Sequence, residues 1–154
     1  EQFDEFYNNS VGYFDILFSL SSFDHDGLGR YGDPLNPNGD LDSMKKVKTL
    51  LKPDTGLLFL TVPIGADIIV YNLHRRYGPI RLPLLLDQWD IVDRIGWNEA
   101  KFNEKSNWRQ TYEPVFILKP SINNNQENNN QENIQEVISK ENENNKNEYH
   151  QEEK

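Results

Sequence analysis

The sequence predicts an α/β fold with a mixed β-sheet, followed by a disordered C-terminal tail. Two short apolar runs, at 14–20 and 57–62, flank an amphipathic segment. This is the order of a βαβ unit, whose two strands run parallel. Two further strand-like segments, at 89–95 and 115–118, are separated by a polar stretch long enough for a wide hairpin loop. They predict an antiparallel edge on the same sheet.

The first two strands are predicted from continuous apolarity. Residues 14–20 read FDILFSL, and residues 57–62 read LLFLTV between Gly56 and Pro63. Apolar residues that fill a strand without alternation are typical of parallel sheets with helices on both sides. We therefore expect both faces of these strands to be covered.

The segment between them, 40–52, is predicted to be an amphipathic helix. Its lysines lie mostly off the centre of the apolar stripe and towards the negative C-terminal end of the helix. Asp40 can accept the unpaired N–H groups of the first turn, and Pro53 ends the helix. The apolar stripe consists of Leu41, Met44, Val47 and Leu51.

The rest of the folded part gives weaker signals. Residues 68–71 predict either a short strand or a turn of helix, and the leucine-rich segment 80–87 predicts a short helix. Residues 89–95 alternate apolar and polar side chains, as expected of a strand with one wetter face. Residues 96–113 are polar and predict the wide hairpin loop.

The tail, 121–154, is predicted to be disordered and distinct from the folded domain at 1–120. It is rich in Asn, Gln and Glu and has few aliphatic residues. So few apolar groups do not offset the roughly 1–2 kcal/mol per residue that ordering a backbone costs. Ile134, Val137 and Ile138 have helical spacing, which fits a transient partner-binding turn as well as a merely solvated segment.

The composition excludes several classes of function. The absence of cysteine excludes a disulfide framework, Cys-ligated zinc and a thiol nucleophile within this segment. The net charge of −9 argues against a nucleic-acid partner, because phosphate binding needs clustered Lys and Arg. No apolar run reaches the roughly 18–20 residues of a membrane span. We expect a small-molecule or otherwise unknown substrate, in a compartment that the sequence leaves open, with the cytoplasm slightly favoured.

The start of the chain suggests a longer parent protein. It begins at Glu1 rather than at a methionine and soon enters the first predicted strand. We expect a sheet that is cut on this side to leave an unpaired strand edge. Such an edge lowers stability and promotes self-association.

The loop at 21–39 is the first candidate site, because open α/β sheets bind ligands at the C-terminal ends of parallel strands. His25 can act as a general base or hydrogen-bond a substrate, and Asp24 can orient it, so both are catalytic candidates. The alternative is structural, since polar residues of a long loop often hold the loop together. The other candidates here for binding substrate or cofactor are Ser21, Ser22, Asp26, Arg30 and Tyr31.

A second polar cluster follows the strand at 57–62. His74 is its catalytic candidate, and we predict that His74 and His25 come within side-chain reach of one pocket. Arg75 can pair with Asp24 or with an anionic substrate group, and a buried Asp–Arg tie between loops explains it equally well. The binding candidates of this cluster are Asn72, Arg75 and Tyr77.

Two motifs resemble ligand sites, and neither is interpreted as one. The segment Gly27–Gly32 matches G-x-G-x-x-G, but Asp33 and Pro34 follow before any helix can begin, so the phosphate-binding geometry is not expected. The glycines instead predict positive φ angles in a loop rich in turns. A calcium-type loop starting at Asp24 would have leucine at its fifth and twelfth positions, where oxygen ligands are required. No metal site is predicted.

Several segments resemble one protein family. The run at 14–34, FDILFSLSSFDHDGLGRYGDP, resembles the signature of a family of unknown function, domain of unknown function 268. The resemblance covers residues 11–120, and the family has no established activity to carry over. Further segments that resemble the family lie at 36–40, 44–48, 58–63 and 72–82.

The order of elements is also similar to the second half of class I S-adenosylmethionine-dependent methyltransferases. In that fold a strand enters a substrate-side loop, a helix leads to the next strand, and an antiparallel hairpin closes the sheet. The similarity implies a partial Rossmann-like sheet and a parent protein that uses S-adenosylmethionine on an unknown substrate. The glycine-rich turn and the acidic ribose-binding residue of such enzymes are not found in this chain. The alternative is a non-catalytic Rossmann-like binding or interaction module.

Overall fold

The computed structural model describes Tyr7 and residues 9–121. Apart from Ser121, the predicted tail lies outside these residues. The strands are β1 (Ile16–Leu20), β2 (Leu57–Thr61), β3 (Ile68–Val70), β4 (His74–Arg76), β5 (Trp89–Ile95) and β6 (Val115–Pro120). The helices are α1 (Gly39–Leu50) and α2 (Arg81–Leu85), and two 3₁₀ turns span Phe23–His25 and Glu99–Lys101.

The β1-α1-β2 segment forms the expected βαβ unit. Strands β1 and β2 are parallel, with Ile16 paired to Leu57 and Leu20 paired to Thr61. The main sheet has the order β1-β2-β6-β5, and β6 is antiparallel to both of its neighbours. A mixed α/β fold with an antiparallel edge is thereby confirmed.

The two weaker predictions resolve as short elements. The segment that predicted a strand or a helical turn is β3, which pairs with β4 in a separate two-stranded hairpin. The leucine-rich segment is helix α2. The wide loop between β5 and β6 contains the second 3₁₀ turn. The hairpin matters for function because it follows the C-terminal end of β2 and carries His74, Arg75 and Arg76.

The apolar core lies on one face of the main sheet, beneath α1 and α2. Met44 of α1 and Leu85 of α2 are buried there against Leu58 and Leu60 of β2 and Phe116 of β6. Burying such side chains is the main favourable term in folding, at about 25 cal/mol per Å² of apolar surface.

The other face of the main sheet is not covered by the described residues, and the prediction of two covered faces is wrong for β1. Ile16, Phe18 and Leu20 are 48%, 67% and 61% exposed. Phe18 stacks on Phe59 of β2 with ring centroids 5.0 Å apart. Strand β1 also forms an edge of the main sheet among the described residues. No helix among the described residues is long and apolar enough to cross a membrane.

Candidate functional site

The loop after β1 is held in shape by its own acidic residue. Gly27, Gly29 and Gly32 have φ angles of +75°, +75° and +83°, which confirms the prediction of positive φ at these glycines. The Asp33 carboxylate accepts the backbone N–H groups of Gly27 at 2.7 Å, Gly29 at 3.2 Å and Tyr31 at 3.2 Å. These amides are thereby occupied, so this glycine motif leaves them no capacity for a phosphate.

The pKa of Asp33 reflects this arrangement. Desolvation alone would raise the pKa of its carboxyl, but the amide donors of Tyr31, Gly29 and Gly27 lower it overall. The ionised form of Asp33 therefore stabilises the loop conformation most strongly.

His25 lies at the centre of the candidate site with both ring nitrogens facing acceptors. Its Nδ1 contacts the backbone carbonyl of Leu73, which only accepts, so Nδ1 carries the hydrogen. Its Nε2 lies 3.5 Å from Asp24 Oδ2, a separation longer than a good hydrogen bond. The Tyr31 ring packs edge-on against the imidazole, with ring centroids 5.8 Å apart. Arg30 Nη1 donates to the same Leu73 carbonyl at 3.3 Å.

Asp24 is a buried carboxyl with an incomplete set of partners. Its side chain is 1% exposed, and its Oδ1 has no hydrogen-bond partner. Desolvation raises the pKa of Asp24 to about 6, against an opposing effect of the charge on His25. Asp24 is thus a buried carboxyl that exchanges its proton near neutral pH next to an imidazole, an arrangement found in general acids and bases.

His74 belongs to the same cluster. Burial lowers its pKa, and the positive charges of His25 and Arg30 lower it further. Glu113, at the end of the wide loop, acts on the cluster too, since its charge raises the pKa of both His74 and Asp24. The charge of His25 therefore acts on His74, while a pocket shared by the two side chains and their catalytic roles stay predictions.

Arg75 is a structural anchor rather than a partner of the Asp24 carboxylate. Its side chain is 1% exposed, and its Nε lies 3.7 Å from Asp40 Oδ2. Its Nη1 donates to the Asp26 carbonyl at 2.6 Å. Its Nη2 donates to the carbonyls of Asn36 and Pro37, each at 3.3 Å. The predicted pairing of Arg75 with the Asp24 carboxylate is not formed; Arg75 instead pairs with Asp40 of helix α1.

Asp40 completes this anchor, and its predicted role as a helix cap is wrong. Its carboxylate is fully buried and accepts from Arg81 Nη2 at 2.5 Å and from Tyr77 Oη at 3.0 Å. These partners lie about forty positions along the chain, so local helix rules give no signal for them. Tyr77, expected to bind a ligand, is fully buried and hydrogen-bonded to Asp40 instead.

The remaining predicted residues lie around the two histidines or support the loop. Ser21 and Ser22 are exposed at the end of β1, where the Ser21 amide donates to the Thr61 carbonyl at 3.0 Å. Asn72 is exposed in the turn of the β3–β4 hairpin. Asp26 accepts from Ser43 Oγ at 2.5 Å and thereby ties the loop to α1.

Sequence reasoning missed four charged residues near these clusters. The sequence predicts only a loop position for Glu113 and a helix cap for Asp40. Arg81 and Arg76 give no local signal beyond their charge, because their partners lie ten or more positions away in the chain. No group of His, Asp and Glu suited to a metal ion occurs among the residues that the structure describes.

Comparison with known proteins identifies the family. The family model described as "Caenorhabditis protein of unknown function, DUF268" matches residues 1–119. The chain belongs to this family. No curated protein matches the chain. The match spans every described strand and helix except the final residue of β6, so the candidate site lies within the family domain.

Proposed function

We propose that the chain is the substrate-side part of a methyltransferase-type, Rossmann-like domain, and that its parent protein transfers methyl groups from S-adenosylmethionine. Two features support this proposal. The parallel β1–β2 pair is followed by an antiparallel hairpin, as in that fold. The polar loops after β1 and β2 converge at the carboxyl ends of those strands, where such sheets bind ligands.

The observation that carries the proposal is the Asp24–His25 pair. A buried carboxyl with a pKa near 6 lies 3.5 Å from an imidazole nitrogen, so the pair can accept a proton at neutral pH. In methyl transfer, an acceptor hydroxyl or amine loses a proton as it becomes a nucleophile. The exposed Ser21 and Ser22 at the end of β1 offer hydroxyls to orient such an acceptor.

The described residues do not fit the nucleoside part of S-adenosylmethionine. The glycine-rich loop that resembles a dinucleotide motif has its amides occupied by Asp33. The nucleoside would therefore be held by other parts of the parent protein. This chain supplies the proton acceptor and the substrate-side loop.

Calorimetry of the full-length protein with S-adenosylmethionine tests the methyltransferase proposal. We expect saturable binding, and we expect His25→Ala to retain binding while losing turnover on a methyl acceptor, by about 100-fold or more. Arg109→Ala is the matched control, because Arg109 is exposed and far from this loop in sequence. Absence of heat with the cofactor in a folded protein would refute the proposal.

A second candidate function is a non-catalytic binding or interaction module. The observation that favours it is that both ring nitrogens of His25 already face protein acceptors. Under this alternative His25 holds the loop against the hairpin and takes no proton from a ligand. His25→Ala would then lower the stability of the protein and leave any turnover per folded molecule unchanged.

A further inference from the structure

A cleft beside the β3–β4 hairpin combines apolar walls with three arginines. Its volume is about 390 Å³, within the range of small-molecule sites. The acid–base cluster of Asp24, His25 and His74 does not line it. The lining residues are Asp67, Ile68, Ile69, Arg75, Arg76, Ile80 and Arg81.

Arg76 is the unusual member of this lining, because it is a buried cation that has no acidic partner among the residues that the structure describes. It is 4% exposed. Its Nε donates to the Ala66 carbonyl at 2.9 Å, and its Nη1 donates to Ser106 Oγ at 2.7 Å and to the Ser106 carbonyl at 3.2 Å. All of these acceptors are neutral. Buried charges are otherwise paired, so an unpaired guanidinium in a cleft points to an anionic ligand.

The second terminal nitrogen of Arg76 is left available to such a ligand. Nη2 has no partner among the described residues, and it is not one of the atoms sealed from solvent without a partner. Gly65 leaves space for the Arg76 side chain. A Cβ at Gly65 would lie 2.8 Å from Arg76 Cδ, so only glycine leaves room for the guanidinium stem here.

The charges around the cleft leave a net positive charge. Arg75 and Arg81 share the single carboxylate of Asp40. The Asp67 carboxylate accepts the backbone N–H groups of Gly78 at 2.9 Å, Ile80 at 3.0 Å and Arg81 at 2.9 Å. Three guanidiniums against two carboxylates leave one positive charge without compensation.

From this geometry we infer that the cleft binds an organic carboxylate with a short apolar body. Ile68, Ile69 and Ile80 provide the apolar wall, and the free face of Arg76 provides the counter-charge. A guanidinium matches a carboxylate well because it can donate two parallel hydrogen bonds. One uncompensated charge in a largely apolar cleft suits a monoanion better than a doubly charged phosphate group. The inference does not depend on the proposed methyl transfer.

Calorimetry of the full-length protein with octanoate tests this site, with 1-octanol as the neutral analogue and inorganic phosphate as the anion without an apolar body. We expect octanoate to bind at least about tenfold more tightly than either. Arg76→Gln should weaken octanoate binding by about tenfold or more, because it removes the positive charge and the two parallel N–H donors of the guanidinium. Arg94→Gln is the matched control, because this exposed arginine lies over Trp97 and away from the cleft. It should leave binding unchanged.

A second variant keeps the inference testable if Arg76→Gln does not fold. Ile69 lines the cleft and is 66% exposed, so Ile69→Asp leaves the core intact and places a negative charge at the cleft. We expect it to weaken octanoate binding by about tenfold. Equal affinity for octanol would overturn the inference, as would stronger binding of phosphate, no binding of octanoate, or unchanged binding in these variants.

Discussion

Asp40 and Asp24 are both buried, and the structure treats them in opposite ways. Asp40 is fully buried, accepts hydrogen bonds from Arg81 and Tyr77, and forms an ion pair with Arg75 at 3.7 Å. Asp24 is 1% exposed, has one oxygen without a partner and has a pKa raised to about 6. A buried carboxylate with a full set of donors holds loops together, whereas one that lacks donors is left able to exchange a proton.

The largest effect is expected from Asp40→Ala. It leaves the buried Arg75 and the partly exposed Arg81 without their shared carboxylate, so the free energy of unfolding should fall by about 3–5 kcal/mol. Denaturant unfolding measures this change. The control is Asp42→Ala on the same helix, where an exposed hydrogen bond from Asn36 is lost and the fall should stay below about 1 kcal/mol. Equal effects of the two variants would show that Asp40 is not an anchor.

The second-largest loss in the free energy of unfolding is expected from Arg75→Met. The apolar side chain keeps the approximate length but leaves the carbonyls of Asp26, Asn36 and Pro37 without their donor. We expect a loss of about 2–4 kcal/mol in the free energy of unfolding. Arg109→Met serves as the exposed control. A loss below about 0.5 kcal/mol would mean that the loop does not depend on this tie.

Asp24→Asn should increase the free energy of unfolding at neutral pH, whereas Asp40→Ala and Arg75→Met decrease it. Because the folded-state pKa of Asp24 is raised from 3.8 to about 6, its contribution to stability is complete below pH 3.8 and is lost as the pH rises through 6. The ionised carboxyl then costs the native state up to about 3 kcal/mol. We expect the variant to be more stable than the parent at pH 7.5 and nearly equal to it at pH 4.

Urea unfolding at the two pH values measures this difference directly. Comparing the variant with its parent at each pH cancels the contributions of other groups, including that of His74, whose lowered pKa acts in the opposite direction. If Asp24→Asn destabilises the protein at pH 7.5 as strongly as Asp40→Ala does, Asp24 is a structural anchor too, and the contrast between the two aspartates is refuted.

The smallest effect concerns His74. The charge on His25 contributes to the lowered pKa of His74, after the larger effect of burial. His25→Gln should therefore raise the pKa of His74 while leaving it below 6.5, the ordinary value for histidine. A proton NMR titration of the histidine ring signals measures the change. No shift would show that the two imidazoles are not electrostatically coupled.

The sequence was sufficient to predict the four strands of the main sheet and helix α1, because their apolar patterns are local, but it did not predict β4. It was not sufficient to predict which faces of the sheet are covered. Phe18 and Leu20 belong to an apolar run that would look the same beneath a second layer of helices. In the candidate site, strand order predicts that the loops carrying His25 and His74 follow neighbouring strands, whereas the partners of Asp40 depend on contacts between residues far apart in the chain.

The most direct measurement for the central claim is a carbon NMR titration of the Asp24 carboxyl in the full-length protein, with Asp24→Asn used to assign the signal. The account predicts a midpoint near pH 6, which identifies a proton acceptor that works at neutral pH. A midpoint at or below 3.8, the ordinary value for an aspartate, would contradict it. Asp24 would then be as well supplied with donors as Asp40, and the acid–base site would be lost.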